Sequence, residues 1–360
     1  MSGYDEFLGT RPVADAHRFD VSALERYLRT NIDGFAGPID VAQFKGGQSN
    51  PTFVLTTPGK RYVLRRKPPG QLLPSAHAVD REYRVISALA GTDVPVPRTY
   101  CLCTDDAVIG TMFYVMELVE GRVLWDPLLP GMEPAQRRGI FDEMNRVIAA
   151  LHRVNYHSLG LETFGKPGNY FGRQIDRWSR QYKASATDTI EAMDRLIEWL
   201  PANLPDSARD PREVSIVHGD FRLDNLVFHP TEPRVIAVLD WELSTLGHPL
   251  ADFSYHCMSW HIQTSGAARG LGGKDLAALG IPDELSYVRA YCERTGRVDV
   301  DLMMRDWNFY LAYNLFRIAA ILQGIAKRAE DGTASSDRAR EAGAGARPLA
   351  ELGWKFASRD

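Results

Sequence analysis

The sequence predicts an α+β chain in two parts, a small β-rich part over residues 1–118 and a larger, mainly helical part over residues 119–360. Two observations carry this reading. Between Ile39 and Met116, short runs rich in β-branched and aromatic residues are punctuated by Gly, Pro and Asn turn signals. Beyond Arg122, apolar residues recur mostly at helical spacing, interrupted by one hairpin between Val214 and Asp240.

The elements follow in order. Val21 to Asn31 reads as a short helix. Ile39 to Phe44, Thr52 to Thr57 and Arg61 to Lys67 read as strands, the last two joined by a Pro58-Gly59 turn. A helix from about Ser75 to Ala90 places Val79, Tyr83, Ile86 and Ala90 on one face. Strands near Arg98 to Thr104 and Thr111 to Met116 complete the sheet. In the larger part Glu133 to Leu151, Gln174 to Tyr182 and Asp306 to Ile325 read as helices, and the Gly/Ala/Ser-rich stretch from Gly332 to Ala346 reads as a loop before a last apolar segment.

The hairpin holds the chemistry. Val214 to Val217 leads into His218-Gly219-Asp220-Phe221-Arg222-Leu223-Asp224-Asn225, Leu226 to Phe228 leads out, and Val235 to Leu239 returns to Asp240-Trp241-Glu242. In H-x-D-x-x-x-x-N, Asp220 is spaced to orient and deprotonate a hydroxyl nucleophile and Asn225 to hold a metal ion. The returning strand sets Asp240 beside Asn225, at the same end of a two-stranded ribbon. Transfer of a γ-phosphoryl group from ATP asks for this set, because its catalysis is mostly positioning plus neutralisation of phosphate charge by Mg2+. A polar loop with a capping Asp would explain a lone HxD, but not Asn225 and Asp240 in register with it.

With HGDFRLDN followed by LDWE, the chain resembles the aminoglycoside-phosphotransferase-like kinases, which share the two-lobed protein-kinase fold. The strings GGQSNPTF, YVLRRKPPG, SAHAVDREYRV and LDWELSTLGHPLADF are most similar to the branch found fused to acyl-CoA dehydrogenases. The resemblance implies a catalytic loop braced by Asp252. It also implies a lobe hinge over Met116 to Gly121, in which the Glu117 carbonyl and the Val119 N–H bond the adenine edge.

The remaining nucleotide contacts are read from the residues. Gly46 and Gly47 would let backbone N–H groups approach phosphate oxygens, with Ser49 or Asn50 adding a side-chain donor. A kinase carries its phosphate-binding base on the following strand, where this chain has Arg65, Arg66 and Lys67. Parity places Val63, Arg65 and Lys67 on one face and Tyr62, Leu64 and Arg66 on the other. Val63 suits the position over adenine only if Arg65 is the base, with Glu82 its partner. A solvated basic edge then accounts for Arg66 and Lys67.

Arg173, Arg177 and Arg180 recur at i, i+4 and i+7 along one helical face. Such a stripe favours an anionic small-molecule acceptor, for example a hydroxyacyl-CoA, over the polycation that an aminoglycoside phosphotransferase receives. A solvated face pairing with Asp176 and Asp188 is the plainer explanation. A non-catalytic nucleotide- or acyl-CoA-binding module is the third reading, motivated by the missing strand Lys.

Forty-two basic against 46 acidic residues give no nucleic-acid or membrane-surface signature. The N-terminus has no apolar signal core, and no uninterrupted apolar run reaches the ~18 residues of a membrane span. Cys101, Cys103, Cys257 and Cys292 lack metal-ligand spacing, so free thiols and a cytoplasmic location are expected.

Overall fold

The computed structural model describes residues 9–45, 50–68, 77–264, 269–297, 299–332 and 339–359. Its chain divides into two compact units, Met1–Val123 with Asn225–Ser244, and Leu124–Asp224 with Thr245–Asp360.

The first unit is built on a six-stranded antiparallel sheet. Its strands are β1 (Thr10–Arg11), β2 (Asp40–Phe44), β3 (Thr52–Thr56), β4 (Arg61–Arg66), β5 (Thr99–Cys103) and β6 (Phe113–Glu117), in the order β1-β2-β3-β4-β6-β5. One face of the sheet buries Phe53, Leu55, Tyr62, Leu64, Phe113 and Val115 against Leu24 and Leu28 of helix α1 (Val21–Asn31). Burial of that kind contributes about 1.5–3 kcal/mol per large apolar side chain, so this face holds the sheet flat against its helix. Asp20 starts α1, its carboxylate accepting from the Ala23 N–H at 2.9 Å.

Arg66 departs from the expected solvated edge. It points to the core face with Tyr62 and Leu64, as parity requires, and is 2% exposed. Its guanidinium lies 5.1 Å from the Phe19 ring centre and donates to the carbonyls of His17 (3.0 Å) and Ile109 (3.3 Å). Aromatic faces and backbone acceptors compensate the lost hydration, and strand spacing alone does not display such partners.

Helix α2 (Val79–Leu89) carries Glu82 on its buried side. A second sheet joins β7 (Arg122–Val123), β9 (Leu226–Phe228) and β10 (Val235–Val238) in the order β10-β9-β7. Gly121 permits this pairing, since a Cβ there would stand 2.3 Å from the Phe228 carbonyl oxygen.

The second unit is mainly helical. Its long elements are α3 (Pro134–Arg153), α4 (Tyr170–Ser185), α5 (Glu191–Ala202), α7 (Pro249–Cys257), α9 (Glu284–Thr295), α10 (Val300–Glu330) and α12 (Ala346–Ala357), with short helices α6 (Asp206–Arg209), α8 (Leu276–Leu279) and α11 (Ala339–Gly343) between them. A two-stranded ribbon of β8 (Ser215–Val217) and β11 (Thr245–Gly247) runs through this unit. Helix α10 is long and apolar enough to cross a bilayer, but two thirds of its most apolar stretch is buried, the pattern of a core helix. All four cysteines are buried and unbridged.

Candidate functional site

In the first unit, β9 and β10 pair with Leu226 opposite Val238, and the Leu239 N–H donates to the Asn225 carbonyl at 2.8 Å. Asn225 and Asp240 therefore leave the same end of the ribbon, as the hairpin reading requires. Asp240 takes a left-handed backbone at φ 63°, a conformation that Asp tolerates better than most residues and that turns its carboxylate out of the strand.

Opposite Thr52 in the sheet register, Arg65 reaches three carboxylates. Its Nε lies 2.9 Å from Glu82 Oε2, and its Nη2 lies 2.7 Å from Asp240 Oδ1 and 3.4 Å from Glu242 Oε2. Burial opposes charge on Arg65, but Glu82 and Asp240, followed by Tyr114 and Glu242, outweigh it and hold the guanidinium protonated. Glu82, 1% exposed, would be costly alone. It also accepts from Asn50 Nδ2 (2.9 Å) and the Tyr114 hydroxyl (3.2 Å), which satisfies the buried pair. Burial nonetheless pushes its carboxyl above the ordinary range. Tyr114 and Asn50 as supports of Glu82 are not visible in sequence. Cross-strand register is the signal for Tyr114, because it stands opposite Arg65.

The donor set suits a hard dication. Asn225 and Asp240 offer side-chain oxygens from adjoining positions, and Mg2+ is ordinarily held by one or two protein oxygens together with phosphate and water. Among the described residues no cluster of three or more His, Cys, Asp or Glu could hold a metal by itself.

In the second unit, the segment His218 to Asp224 is fixed through its backbone. Asp252 on α7 accepts from the N–H groups of His218 (2.7 Å) and Gly219 (2.8 Å), so it does brace this loop. His152 closes the network, with Nε2 3.3 Å from Asp252 and Nδ1 2.7 Å from the Tyr291 hydroxyl. Burial lowers the imidazole below its usual range, so the neutral ring donates through Nε2 and accepts at Nδ1. Burial raises Asp252, but its hydrogen bonds from His152 and His218 outweigh that and hold it below the usual carboxylate range. Asp220 accepts from the Tyr255 hydroxyl, and Arg222 pairs with Asp224 through two nitrogens.

Of the other expected site residues, Gly46, Gly47 and Ser49 lie outside the described residues. Asn50 is fully buried, its amide held between Glu82 and His77 rather than offered outward. Val63 is buried in β4 opposite Val54 and Met116. Glu117 ends β6, its N–H donating to the Arg98 carbonyl at 2.8 Å, and Val119 is half-buried beyond it. Arg173 turns back onto the carbonyls of Lys166 and Gly168, and Arg180 pairs with Asp176 at 2.7 Å. Arg177 is exposed over the Trp178 ring.

A braced HxD loop, an Asn and Asp at one ribbon end and a strand Arg paired to a helix Glu are the arrangement that the sequence pattern predicts of a phosphotransferase. Residues 40–287 match the profile of the phosphotransferase enzyme family, and the chain belongs to that family. Mouse acyl-CoA dehydrogenase family member 10 is 46% identical over 365 residues, covering 100% of this chain and 33% of the mouse protein. The chain thus spans about a third of that relative's length. A Ralstonia eutropha protein provisionally assigned as an aminoglycoside phosphotransferase is 62% identical with a TM-score of 0.86, covering 94% of this chain and 98% of that one. Choline kinase from Cryptosporidium parvum, 13% identical, shares the fold with a TM-score of 0.65 and coverage of 94% and 95%. The fold is therefore kinase-like, with a β-rich N-terminal region and a helical C-terminal region.

Proposed function

We propose that the protein is a small-molecule O-kinase that transfers the γ-phosphoryl group of ATP to a hydroxyl acceptor. The observation that carries this is the Arg65 fork, which ties Glu82 and Asp240 together from a strand position where a kinase keeps its phosphate-binding base. In this reading residues 1–118 serve the nucleotide and residues 119–360 catalysis and the acceptor. Gly46, Gly47 and Ser49 would serve the phosphates, Asn50 would act through Glu82, which it braces, Val63 covers adenine, and Glu117 and Val119 bond its edge. Asp220 accepts the hydroxyl proton as oxygen attacks phosphorus. Asn225 and Asp240 would hold Mg2+, whose charge offsets that of the triphosphate.

The acceptor we favour is anionic, such as a hydroxyacyl-CoA. Arg317 and Arg222 both bear electrostatically on Asp220, which disfavours a polycation, and exposed Arg177 extends the positive surface. The relationship to an acyl-CoA dehydrogenase family member points the same way. Free thiols favour the cytoplasm. Incubation with ATP, Mg2+ and a panel of hydroxyacyl-CoAs and aminoglycosides, read by mass spectrometry, tests the proposal. A phosphorylated hydroxyacyl-CoA is expected. Phosphorylated kanamycin alone would replace the substrate class, and no product with any acceptor would favour a binding module.

A further inference from the structure

Resting on that reading, we propose that Tyr255 is a positioning residue for phosphoryl transfer, its hydroxyl fixing the plane of the Asp220 carboxylate while Arg317 fixes the peptide just before it. Tyr255 lies three residues beyond Asp252 on α7, so both side chains leave one face of that helix. The helix therefore grips the loop twice. Asp252 takes the backbone N–H groups of His218 and Gly219, and Tyr255 donates to Asp220 Oδ1.

Arg317 on α10 supplies the third point. Its Nη2 donates to the Gly219 carbonyl at 2.6 Å, next to the left-handed turn that Gly219 makes at φ 85°. No carboxylate lies within ion-pair distance of Arg317 among the described residues, although it is 7% exposed. Its guanidinium instead lies 5.2 Å from the Tyr255 ring centre and 5.9 Å from that of Trp178. A stacked cation over the Tyr255 ring restrains the ring whose hydroxyl holds the base. One turn earlier on α10, Asn314 donates to the Ala251 carbonyl (3.0 Å) and Ser254 Oγ (2.8 Å), locking α10 to α7.

Chemistry explains the need. A carboxylate on a loop rotates about its last torsion unless something holds it, and a misplaced base loses the gain from pre-set geometry. Burial, reinforced by the charge of Asp220, raises the Tyr255 phenol far above its ordinary range, so it stays a donor at any working pH.

The test is a double-mutant cycle of Tyr255→Phe and Asp220→Ala in the full chain, with 3-hydroxybutyryl-CoA and, separately, water as the phosphoryl acceptor. Phe keeps the ring beneath Arg317, and a melting curve checks that the fold is kept. Loss of one hydrogen bond to a charged group is expected to lower kcat about 10- to 100-fold. KM for ATP should be unchanged, and Tyr255→Phe should have no further effect once Asp220 is Ala. Full additivity of the two losses, or a normal kcat in Tyr255→Phe, overturns the positioning role while leaving the kinase reading intact. ATP turnover that Asp220→Ala does not reduce with either acceptor overturns both.

Discussion

The two units hold their candidate residues by different physics. In the β-rich unit, Arg65, Glu82, Asp240 and Glu242 form a web of ion pairs in which one guanidinium answers three carboxylates. In the helical unit, the loop bearing Asp220 is held mainly by hydrogen bonds to its backbone, from Asp252 and Arg317. Glu82 keeps Arg65 in a buried pair, whereas the pairs to the partly exposed Asp240 and Glu242 can be exchanged for an incoming charge, because each lost partner is replaced. Backbone hydrogen bonds cannot be exchanged in that way. The comparison teaches that, under the proposed function, exchangeable charge stands where nucleotide and metal would be received and fixed geometry where a proton would be removed.

The largest expected effect breaks the fixed half. Asp220→Ala should lower kcat by about two to four orders of magnitude, the range for losing a positioned base, with nucleotide affinity nearly unchanged. Near-normal turnover would remove Asp220 from the mechanism. The next perturbs the exchangeable half. Asp240→Asn should abolish Mg2+-dependent ATP binding far more than Glu242→Gln, measured calorimetrically with and without the metal. Equal losses would show that Asp240 is not set apart from Glu242 as a metal ligand.

Acid should then separate the two units. His248 and His256 are buried in the helical unit and pushed down to about 4, and His152 is lowered by burial as well. Between an unfolded-state value of about 6.5 and those folded-state values the unfolded chain binds more protons, so stability is lost as pH falls through this window. Tm should drop from pH 6.5 toward pH 4, with near-ultraviolet signals of the helical unit lost first. A flat Tm across that range would show that the histidines are not held neutral. The smallest effect sharpens the acceptor assignment. Arg177→Glu should raise KM for a hydroxyacyl-CoA, and added salt should raise it in the wild type, because exposed charge contacts are screened. ATP binding should barely change. A kanamycin KM improved by the same substitution would favour the polycation.

Much of this was legible in sequence because it rests on short-range spacing. Strand parity set Arg65 and Lys67 apart from Arg66, Val63 two residues earlier singled out Arg65, and Glu82 was legible as its partner on the following helix. Hairpin logic brought Asn225 to Asp240 without any long-range information. Side-chain partners distant in the chain were the part that spacing could not supply. Asn50 and Tyr114 meet Glu82 only because three elements converge, and Arg317 reaches Gly219 from 98 residues away. Arg66 was misread for the same reason, since the rings of Phe19 and Phe53 that shelter it lie on other elements. Tyr255 carried a usable signal in its i+3 spacing from Asp252.

The ribbon of residues 225–244 belongs with the N-terminal sheet unit although the sequence delivers it a hundred residues later. Exchange of that unit between homologous enzymes is therefore a three-junction problem, with breaks after Val123, Asp224 and Ser244. A chimaera spliced once, near residue 118, would graft a foreign sheet onto a resident ribbon and leave Arg65 of one parent facing Asp240 of the other. Recombination experiments in this family should recover active hybrids chiefly when the ribbon travels with its own sheet.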